Sequence, residues 1–331
     1  MSDGKQETVL ITGANGFVGS RLCARLLDDG YRVIAGVREG CDIALIDELD
    51  LEYRFGDVTI PETLPPMVAE VDYIVHNAGL VKTENPDDFF RVNQVGTKNV
   101  IEAAAEETTL KKFIYISSMA AAGPSGKGRP RTEDDPPQPL TEYGRSKLAG
   151  ERRVLARSET VNATILRPSG VYGPGDKEMF AFFNMLNNRL KPYLGNSRRK
   201  IQLVHVDDLA AAVAKSMTAS TESGSIYFVA ESQSYEYRAL LKILGRAIGR
   251  ICLPFYLPGR LLLQVAAISE KFTRGRGRPP MFTVDKAREL LADWEVSVEK
   301  ARREIGFESQ ITFAQGAAET AGWYRMEGWM P

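Results

Sequence analysis

The sequence predicts an α/β fold in which a doubly wound parallel sheet is joined to a smaller, mostly helical second lobe. Three observations predict it. Short apolar runs alternate with segments of helix length, a glycine-spaced turn follows the first run, and this alternation changes after residue 176. The chain has 331 residues, of which 44% are hydrophobic. A chain of this length and composition buries a large core, which excludes a disordered chain and a small disulfide-stapled scaffold.

Six apolar segments in the first half of the chain are predicted as strands. They comprise residues 7–12, 31–37, 51–55, 71–76, 112–117 and 161–167. Except in residues 51–55, the apolar residues do not alternate strictly with polar ones, as expected for strands buried on both faces, and the long connections suit right-handed parallel crossovers. The segments therefore predict one parallel sheet covered by helices.

The first strand is followed by three spaced glycines and then by the start of a helix. Gly13 permits a tight turn, Gly16 lets backbone N–H groups approach a pyrophosphate, and Gly19 lets the helix pack on the strand. The helix N-terminus also attracts an anion. The turn therefore predicts a Rossmann-type dinucleotide site, with a plain glycine turn as the alternative. The candidate cofactor-binding residues here are Gly13, Asn15, Gly16, Phe17, Val18 and Gly19.

The residue at the end of the second strand predicts which dinucleotide binds. NAD-specific sites place an acid there for the ribose hydroxyls, whereas this chain has Arg38, whose planar guanidinium suits the 2′-phosphate of NADP. NADP is therefore the preferred cofactor. NAD is the alternative, because Glu39 weakens the positive field and Arg38 is then a solvated surface residue.

The loops after the third and fourth strands are expected to flank the adenine and the adjoining ribose. Strand ends on the same edge of a parallel sheet converge on one ligand. Asp57 is also a residue type that caps helices, so a cap is the alternative for it. The candidates from these loops are Asp57, Val58, Asn77, Ala78 and Gly79.

A tyrosine and a lysine four residues apart predict a proton-transfer site. On a helix, Tyr143 and Lys147 lie on one face about one turn apart. Lowering a tyrosine pKa from near 10 by about 3 units requires roughly 4 kcal/mol of phenolate stabilisation, which an ammonium and a positive nicotinamide can supply. Ser118 follows the fifth strand and is a candidate to hydrogen-bond a substrate oxygen. The alternatives are an exposed Tyr and Lys pair and a Ser118 that only caps a turn.

The second half of the chain is predicted to leave the sheet, return to it and leave again. Residues 200–206 and 225–229 are predicted as strands, whereas residues 178–190 and the stretch from 236 onward are helical. The expected dinucleotide-binding domain is residues 1–177, to which residues 200–231 return. Residues 178–199 and 232–331 are expected to form a substrate-binding lobe beside the carboxyl ends of the strands.

With these motifs the chain resembles an extended short-chain dehydrogenase/reductase of the NAD-dependent epimerase/dehydratase superfamily over nearly its whole length. The matching motifs are residues 12–19 (TGANGFVG), 116–118 (ISS), 143–147 (YGRSK), 166–174 (LRPSGVYGP) and 204–210 (VHVDDLA). The resemblance implies catalytic roles for Ser118, Tyr143 and Lys147 and a structural role for Asn93. It also implies that Pro168, Ser169, Gly170 and Val171 lie along the nicotinamide.

Within that family the chain looks nearer to reductases resembling flavonoid reductases and 3β-hydroxysteroid dehydrogenases. Nucleotide-sugar members hold their diphosphate partly with an arginine, and the corresponding position here is Ile201. Arg198, Arg199 and Lys200 lie nearby and are expected to be solvated. We therefore expect hydride transfer between a nicotinamide and a carbonyl or alcohol, with Tyr143 as general acid/base. The alternatives are a nucleotide-sugar epimerase or dehydratase and a catalytically idle dinucleotide-binding sensor or scaffold.

Charge and rare residues limit the partners and the compartment. The net charge of −1 gives no global reason to expect a nucleic acid. Three cysteines suit free thiols in a reducing compartment, and the N-terminal residues carry no export signal, so a cytoplasmic location is expected. Two histidines make a multi-histidine metal site impossible, and no metal is predicted. A small-molecule substrate and a homodimer are expected.

One later segment, residues 251–278, combines apolar and basic residues. It is too short and too interrupted to span a bilayer. Between residues 246 and 278 the only acid is Glu270, against seven basic residues: Arg246, Arg250, Arg260, Lys271, Arg274, Arg276 and Arg278. The preferred interpretation is a substrate-lobe helix followed by a solvated basic loop. Docking on an anionic membrane surface is the alternative.

Overall fold

The computed structural model describes residues 6–126, 128–274 and 283–330, apart from the side chains of residues 273 and 274. Its centre is a seven-stranded parallel sheet in the order β11-β6-β5-β4-β1-β2-β3. The strand order reverses between β1 and β4, which places a ligand-binding crevice at the carboxyl ends of these two strands. The central strands are β1 (Thr8–Thr12), β2 (Arg32–Val37), β3 (Glu52–Phe55), β4 (Tyr73–His76), β5 (Lys112–Ile116), β6 (Ala163–Pro168) and β11 (Ser225–Val229).

Helices cover both faces of this sheet. One face packs against α1 and α8 through buried residues such as Leu22 and Leu209, and the other against α2, α4 and α6 through residues such as Leu64, Val100 and Val154. The helices are α1 (Phe17–Asp28), α2 (Leu64–Val68), α3 (Pro86–Phe90), α4 (Thr97–Ala105), α5 (Met119–Ala122), α6 (Glu142–Leu155), α7 (Phe180–Asn187), α8 (Val206–Thr218), α9 (Tyr237–Ile248), α10 (Gly259–Arg274), α11 (Val284–Leu291), α12 (Glu299–Ile305) and α13 (Phe313–Met326). The predicted Rossmann-type fold is confirmed.

Among the described residues, three two-stranded sheets lie outside the central one. They pair β7 (Gly170–Tyr172) with β10 (Leu203–His205), β8 (Leu190–Leu194) with β13 (Leu253–Leu257), and β9 (Lys200–Ile201) with β12 (Tyr235–Glu236). The single strand predicted for residues 200–206 is therefore wrong. Gln202 interrupts it, because its buried amide donates to the carbonyl of Glu231 at 2.6 Å and accepts from the backbone of Val296 at 2.8 Å. Of the two later strand predictions, only residues 225–229 join the central sheet.

The later part of the chain has an aromatic core of its own. Phe183 and Tyr324 are buried and meet edge to face, and the hydroxyl of Tyr324 donates to the carbonyl of Asp176 at 2.5 Å. The segment that combines apolar and basic residues forms β13 and α10, and its loop over residues 275–282 lies outside the described residues. No helix among the described residues is long and apolar enough to cross a bilayer.

Candidate active site

The glycine turn after β1 is packed too closely for side chains. Gly13 has a φ of +67°, and a Cβ atom there would lie 2.8 Å from the Cα of Ala78. A Cβ at Gly19 would lie 2.1 Å from the carbonyl oxygen of Gly13. Gly16 precedes α1 without a capping side chain, so the first N–H groups of Phe17, Val18 and Gly19 are available to an anion. The turn therefore fits a pyrophosphate.

The edge of the site at β2 and β3 holds the predicted cofactor-selecting residues. Arg38 is exposed, and no ion pair within the described residues engages it. Burial raises the pKa of Asp57, but hydrogen bonds from Thr59 and the charges of Arg38 and Arg91 outweigh burial and lower that pKa overall. The carboxylate of Asp57 accepts from the backbone N–H and hydroxyl of Thr59, both at 2.8 Å, so Asp57 does cap a turn. The side-chain amide of Asn99 donates a hydrogen bond to the carbonyl of Val58 at 2.9 Å.

The loop after β4 joins the glycine turn to the helix that carries the catalytic candidates. Asn77 donates to the carbonyl of Gly13 at 3.3 Å, and the N–H of Ala78 donates to the hydroxyl of Thr12 at 3.1 Å. A Cβ atom at Gly79 would lie 3.5 Å from the Nζ atom of Lys147. The cofactor candidates and Lys147 are therefore adjacent in space. The side-chain amide of Asn15 donates to the carbonyl of Asp42 at 2.9 Å.

Tyr143 and Ser118 meet at the first turn of α6. Thr141 caps this helix by accepting from the N–H of Gly144 at 3.1 Å, which fixes where Tyr143 enters it. The hydroxyl of Ser118 accepts from the N–H of Ala120 at 3.1 Å, and it also lies close enough to Tyr143 to act on the pKa of the phenol. Ser118 is thus both the cap of α5 and a partner of the tyrosine, which combines its two sequence interpretations.

Burial dominates the ionisation of this pair. Desolvation raises the pKa of Tyr143 to about 12, although Ser118 opposes it. Burial lowers the pKa of Lys147 to about 7, and its Nζ atom donates to the carbonyl of Ile116 at 2.6 Å. The protein alone therefore does not lower the tyrosine pKa as the sequence argument required, because desolvation of Tyr143 outweighs the opposing effect of Ser118.

Asn93 supports the site from behind, as its expected structural role implies. It lies in a π-helical segment, Arg91–Gly96, and is fully buried. Its amide oxygen accepts from the N–H of Leu80 at 2.7 Å, and its amide nitrogen donates to the carbonyl of Leu80 and to the hydroxyl of Ser146, both at 2.9 Å. Asn93 thus ties the β4 loop to α6.

The segment after β6 contains an unsatisfied polar group. Ser169 is buried, and its Oγ atom has no hydrogen-bond partner within the described residues, whereas its N–H donates to the carbonyl of Val229 at 2.9 Å. Pro168 ends β6, and Gly170 and Val171 begin β7. A buried hydroxyl without a partner at this edge fits the polar carboxamide of a nicotinamide.

Two features of the site escaped the sequence analysis. His76 is buried, hydrogen-bonds Thr12 at 2.8 Å and Thr97 at 3.1 Å, and burial lowers its pKa to about 3, so it is neutral. Glu151 and Arg167 form a buried ion pair behind Ser118. The sequence signal for that pair is a charged residue within each of two segments rich in buried positions, Glu151 in α6 and Arg167 in β6.

Arg199 corrects one prediction made from the sequence. It was expected to be solvated, but it is only 2% exposed. Its guanidinium lies 3.7 Å from the ring centre of Tyr237 and donates to the carbonyls of Leu194 at 2.6 Å and Asn196 at 3.0 Å. The two carbonyls engage Nη1 and the aromatic ring faces the guanidinium, which favours burial of the long side chain, although its Nε atom has no hydrogen-bond partner among the described residues. Arg198 is exposed, as expected.

One group of residues within the described part of the chain has the composition of a metal site. His205, Asp207 and Glu319 each offer one ligand atom within 4.8 Å of the others. Arg21, however, donates to both carboxylate oxygens of Asp207, at 2.9 and 2.8 Å. Its positive charge disfavours a cation there. The absence of a resident metal stays a prediction.

Comparison with known proteins identifies the family. The model of the NAD dependent epimerase/dehydratase family matches residues 9–230. This chain belongs to that family. It is 30% identical over 333 residues to ceramide reductase of Caulobacter vibrioides. That alignment covers 100% of this chain and 98% of the relative. It is 27% identical over 327 residues to 2-alkyl-3-oxoalkanoate reductase of Stenotrophomonas maltophilia, and that alignment covers 93% of this chain and 96% of the relative.

A solved structure shows the same architecture. The crystal structure of gox2253 superposes on this chain with a TM-score of 0.84 and 27% identity, covering 98% of this chain and 100% of that one. Together with the family match, these similarities confirm an NAD(P)-dependent enzyme of the extended short-chain dehydrogenase/reductase type. They also agree with the predicted oxidoreductase activity, and the family description accommodates the epimerase or dehydratase alternative.

Proposed function

We propose that this protein is an NADPH-dependent reductase of an apolar carbonyl compound, or the dehydrogenase of the matching alcohol, with Tyr143 as proton donor and acceptor. The observation that carries the proposal is the placement of three side chains. Ser118 adjoins Tyr143, and Lys147 adjoins the cofactor loop at Gly79. The glycine turn and the unsatisfied hydroxyl of Ser169 support a dinucleotide beside them.

Each of these residues has a distinct task in carbonyl reduction. When bound, the dinucleotide supplies the hydride for the carbonyl carbon, and its ring is positive in the oxidised form. Tyr143 donates its hydroxyl proton to the carbonyl oxygen, and Ser118 donates a hydrogen bond to the same oxygen. Lys147 stabilises the phenolate left on Tyr143 through its positive charge.

The ionisation of the residues supports the reductive direction at neutral pH. Because burial raises the pKa of Tyr143 to about 12, the phenol is protonated and ready to donate. Burial lowers the pKa of Lys147 to about 7, so only part of its population is charged at neutral pH. The positive field that stabilises the phenolate is therefore strongest at or below neutral pH.

The substrate class follows from the residues near the expected diphosphate position. Ile201 carries no charge, and Arg199 is engaged by backbone carbonyls and Tyr237. A buried diphosphate needs paired cations, whereas an apolar compound gains roughly 25 cal/mol for each Å² removed from water. Two similar proteins are named as reductases of ceramide and of 2-alkyl-3-oxoalkanoates, and neither name denotes a nucleotide-sugar enzyme.

We also propose that residues 178–199 and 232–331 form the substrate lobe over the dinucleotide-binding residues 1–177 and 200–231. The lobe reaches the catalytic helix through α11, where Asp285 lies 3.5 Å from Arg145. Arg145 is two residues beyond Tyr143. The homodimer and the cytoplasmic location remain predictions.

The substrate class is tested with a panel of apolar ketones and aldehydes against uridine and thymidine diphosphate sugars. We expect NADPH oxidation and thermal stabilisation with members of the first group only. The Tyr143→Phe variant serves as the control, because it should be stabilised by the same compounds without turning them over. Stabilisation or epimerisation of a nucleotide sugar without net cofactor consumption would overturn the proposal in favour of an epimerase.

The cofactor preference is tested with Arg38→Asp. The guanidinium is expected to read the 2′-phosphate through charge-assisted hydrogen bonds, so its loss should weaken NADP binding by roughly 10- to 100-fold. NAD binding should change little or improve. Arg32 begins β2, whereas Arg38 directly follows its last residue, so Arg32→Asp is the control at the far end of the strand and should leave the preference unchanged. Tighter binding of NAD than NADP by the unaltered protein would contradict the assignment.

A further inference from the structure

Helix α10 buries one face and exposes an apolar stripe on another. Leu262 and Ala266 are buried against Ala287 of α11. Leu261, Val265 and Ile268 follow one another at spacings of four and three residues, which places them on one side of the helix. They are 45%, 46% and 69% exposed. Apolar side chains that line up in this way and face solvent mark an interaction surface.

Strand β13, which leads into α10, also exposes apolar side chains. Leu253 and Tyr256 of β13 are both exposed, and Ile251 just before the strand is almost fully so. Only Pro258 separates β13 from α10. We call Leu261, Val265 and Ile268 the docking face.

Basic residues lie beside the docking face and near the strand that precedes α10. Arg260 and Lys271 lie on α10 beside the apolar stripe, about 80 to 100° around the helix from it at 100° per residue. Arg189 and Arg250 line a depression of about 380 Å³ next to Ile251. Within the described residues no ion pair engages any of these four side chains. The acid of this segment, Glu270, faces inward and accepts from the N–H of Val284 at 2.8 Å.

We propose that the docking face binds the surface of an anionic lipid bilayer, with α10 lying in the plane of the interface. The apolar side chains enter the boundary between headgroups and acyl chains, and the neighbouring cations reach the lipid phosphates. The depression at Arg189 and Arg250 suits a phosphate headgroup, because arginine binds phosphate in a bidentate manner. No described helix can span the bilayer, so the attachment is peripheral.

Charge favours a bilayer over a second copy of the chain as the occupant. A two-fold interface formed by this face would place the same patch on both copies, so Arg260 and Lys271 of each copy would approach like charges. An anionic surface supplies the opposite charge instead. The proposal also links the surface to the site, because α10 packs on α11, which contacts Arg145 near Tyr143. It does not rest on the proposed substrate, since binding to vesicles is measured without turnover.

The test is sedimentation of the full chain with vesicles of phosphatidylcholine, alone or mixed with phosphatidylglycerol, at about 0.05 M and about 0.5 M salt. We expect binding to the anionic vesicles that weakens at high salt. Val265→Asp/Ile268→Asp should reduce it by on the order of 10-fold or more. Arg260→Gln/Lys271→Gln should reduce it by roughly 10- to 30-fold and flatten the salt dependence. Dinucleotide binding reports folding in every variant.

The matched control places the same two acids on apolar residues elsewhere on the surface. Ile60 and Met326 are 47% and 79% exposed, close to the values of Val265 and Ile268. Ile60→Asp/Met326→Asp should bind vesicles as the unaltered protein does. The proposal fails if the unaltered protein does not bind any of the vesicles, or if Val265→Asp/Ile268→Asp binds them as well as Ile60→Asp/Met326→Asp does. It also fails if Val265→Asp/Ile268→Asp splits a dimer without affecting vesicles, because the occupant is then a second copy.

Discussion

Replacing Tyr143 with phenylalanine is expected to reduce turnover by on the order of 100- to 10,000-fold while the affinity for the dinucleotide stays unchanged. The substitution removes the hydroxyl beside Ser118 and keeps the ring, which meets Phe89 at 6.0 Å between centres. Because the ring and this contact are retained, the loss of the hydroxyl should not unfold the protein. The measurement is single-turnover NADPH oxidation together with a direct titration of the dinucleotide.

Tyr31→Phe provides the matched control for this experiment. Tyr31 precedes β2 at the amino edge of the sheet, where its ring packs edge to face on Tyr73 at 6.0 Å. Its variant should keep full turnover. If Tyr143→Phe turned over at a rate near that of Tyr31→Phe, the proton would come from another group and the assignment of Tyr143 would be wrong.

The central sheet was predictable because each strand carries its own signal. The runs that include Val9, Ile34, Val75 and Ile114 are apolar without alternation, and all four residues are fully buried. The later strands lack such a signal. Gln202 divides one of them through bonds to Glu231 and Val296, residues far along the chain, and no local pattern reports those contacts.

The features of the site also fall into two groups: those set by spacing along the chain and those set by residues distant in sequence. Gly13, Gly19 and Tyr143 act through spacing along the chain, so their positions followed from the sequence. The burial of Arg199 and the pKa values of Tyr143 and Lys147 depend on what surrounds them in the folded chain. Burial shifts pKa values by amounts that cannot be predicted from residue types alone. For this reason the expected lowering of the Tyr143 pKa was not found in the protein alone.

The buried ion pair behind the site leads to the largest expected loss of stability. Glu151→Gln should lower the free energy of unfolding by about 3–5 kcal/mol, because the guanidinium of Arg167 is then left buried without a counter-charge. Arg167 and Glu151 are 4% and 1% exposed, and the pair is bidentate, at 2.9 and 2.7 Å. Ser117 adds a third bond by donating to Glu151 at 2.5 Å.

Urea unfolding of Glu151→Gln measures this effect, and Glu102→Gln is the matched control. Glu102 also pairs with an arginine through two donors, but both partners are exposed, so solvent already screens the charges and its loss should change stability little. Glu151 joins α6, which carries Tyr143 and Lys147, to the ends of β5 and β6. We therefore expect Glu151→Gln to lower the urea midpoint with an unchanged m-value and also to slow turnover. Equal midpoints for the two variants would show that Arg167 finds another partner and that the pair does not hold these elements together.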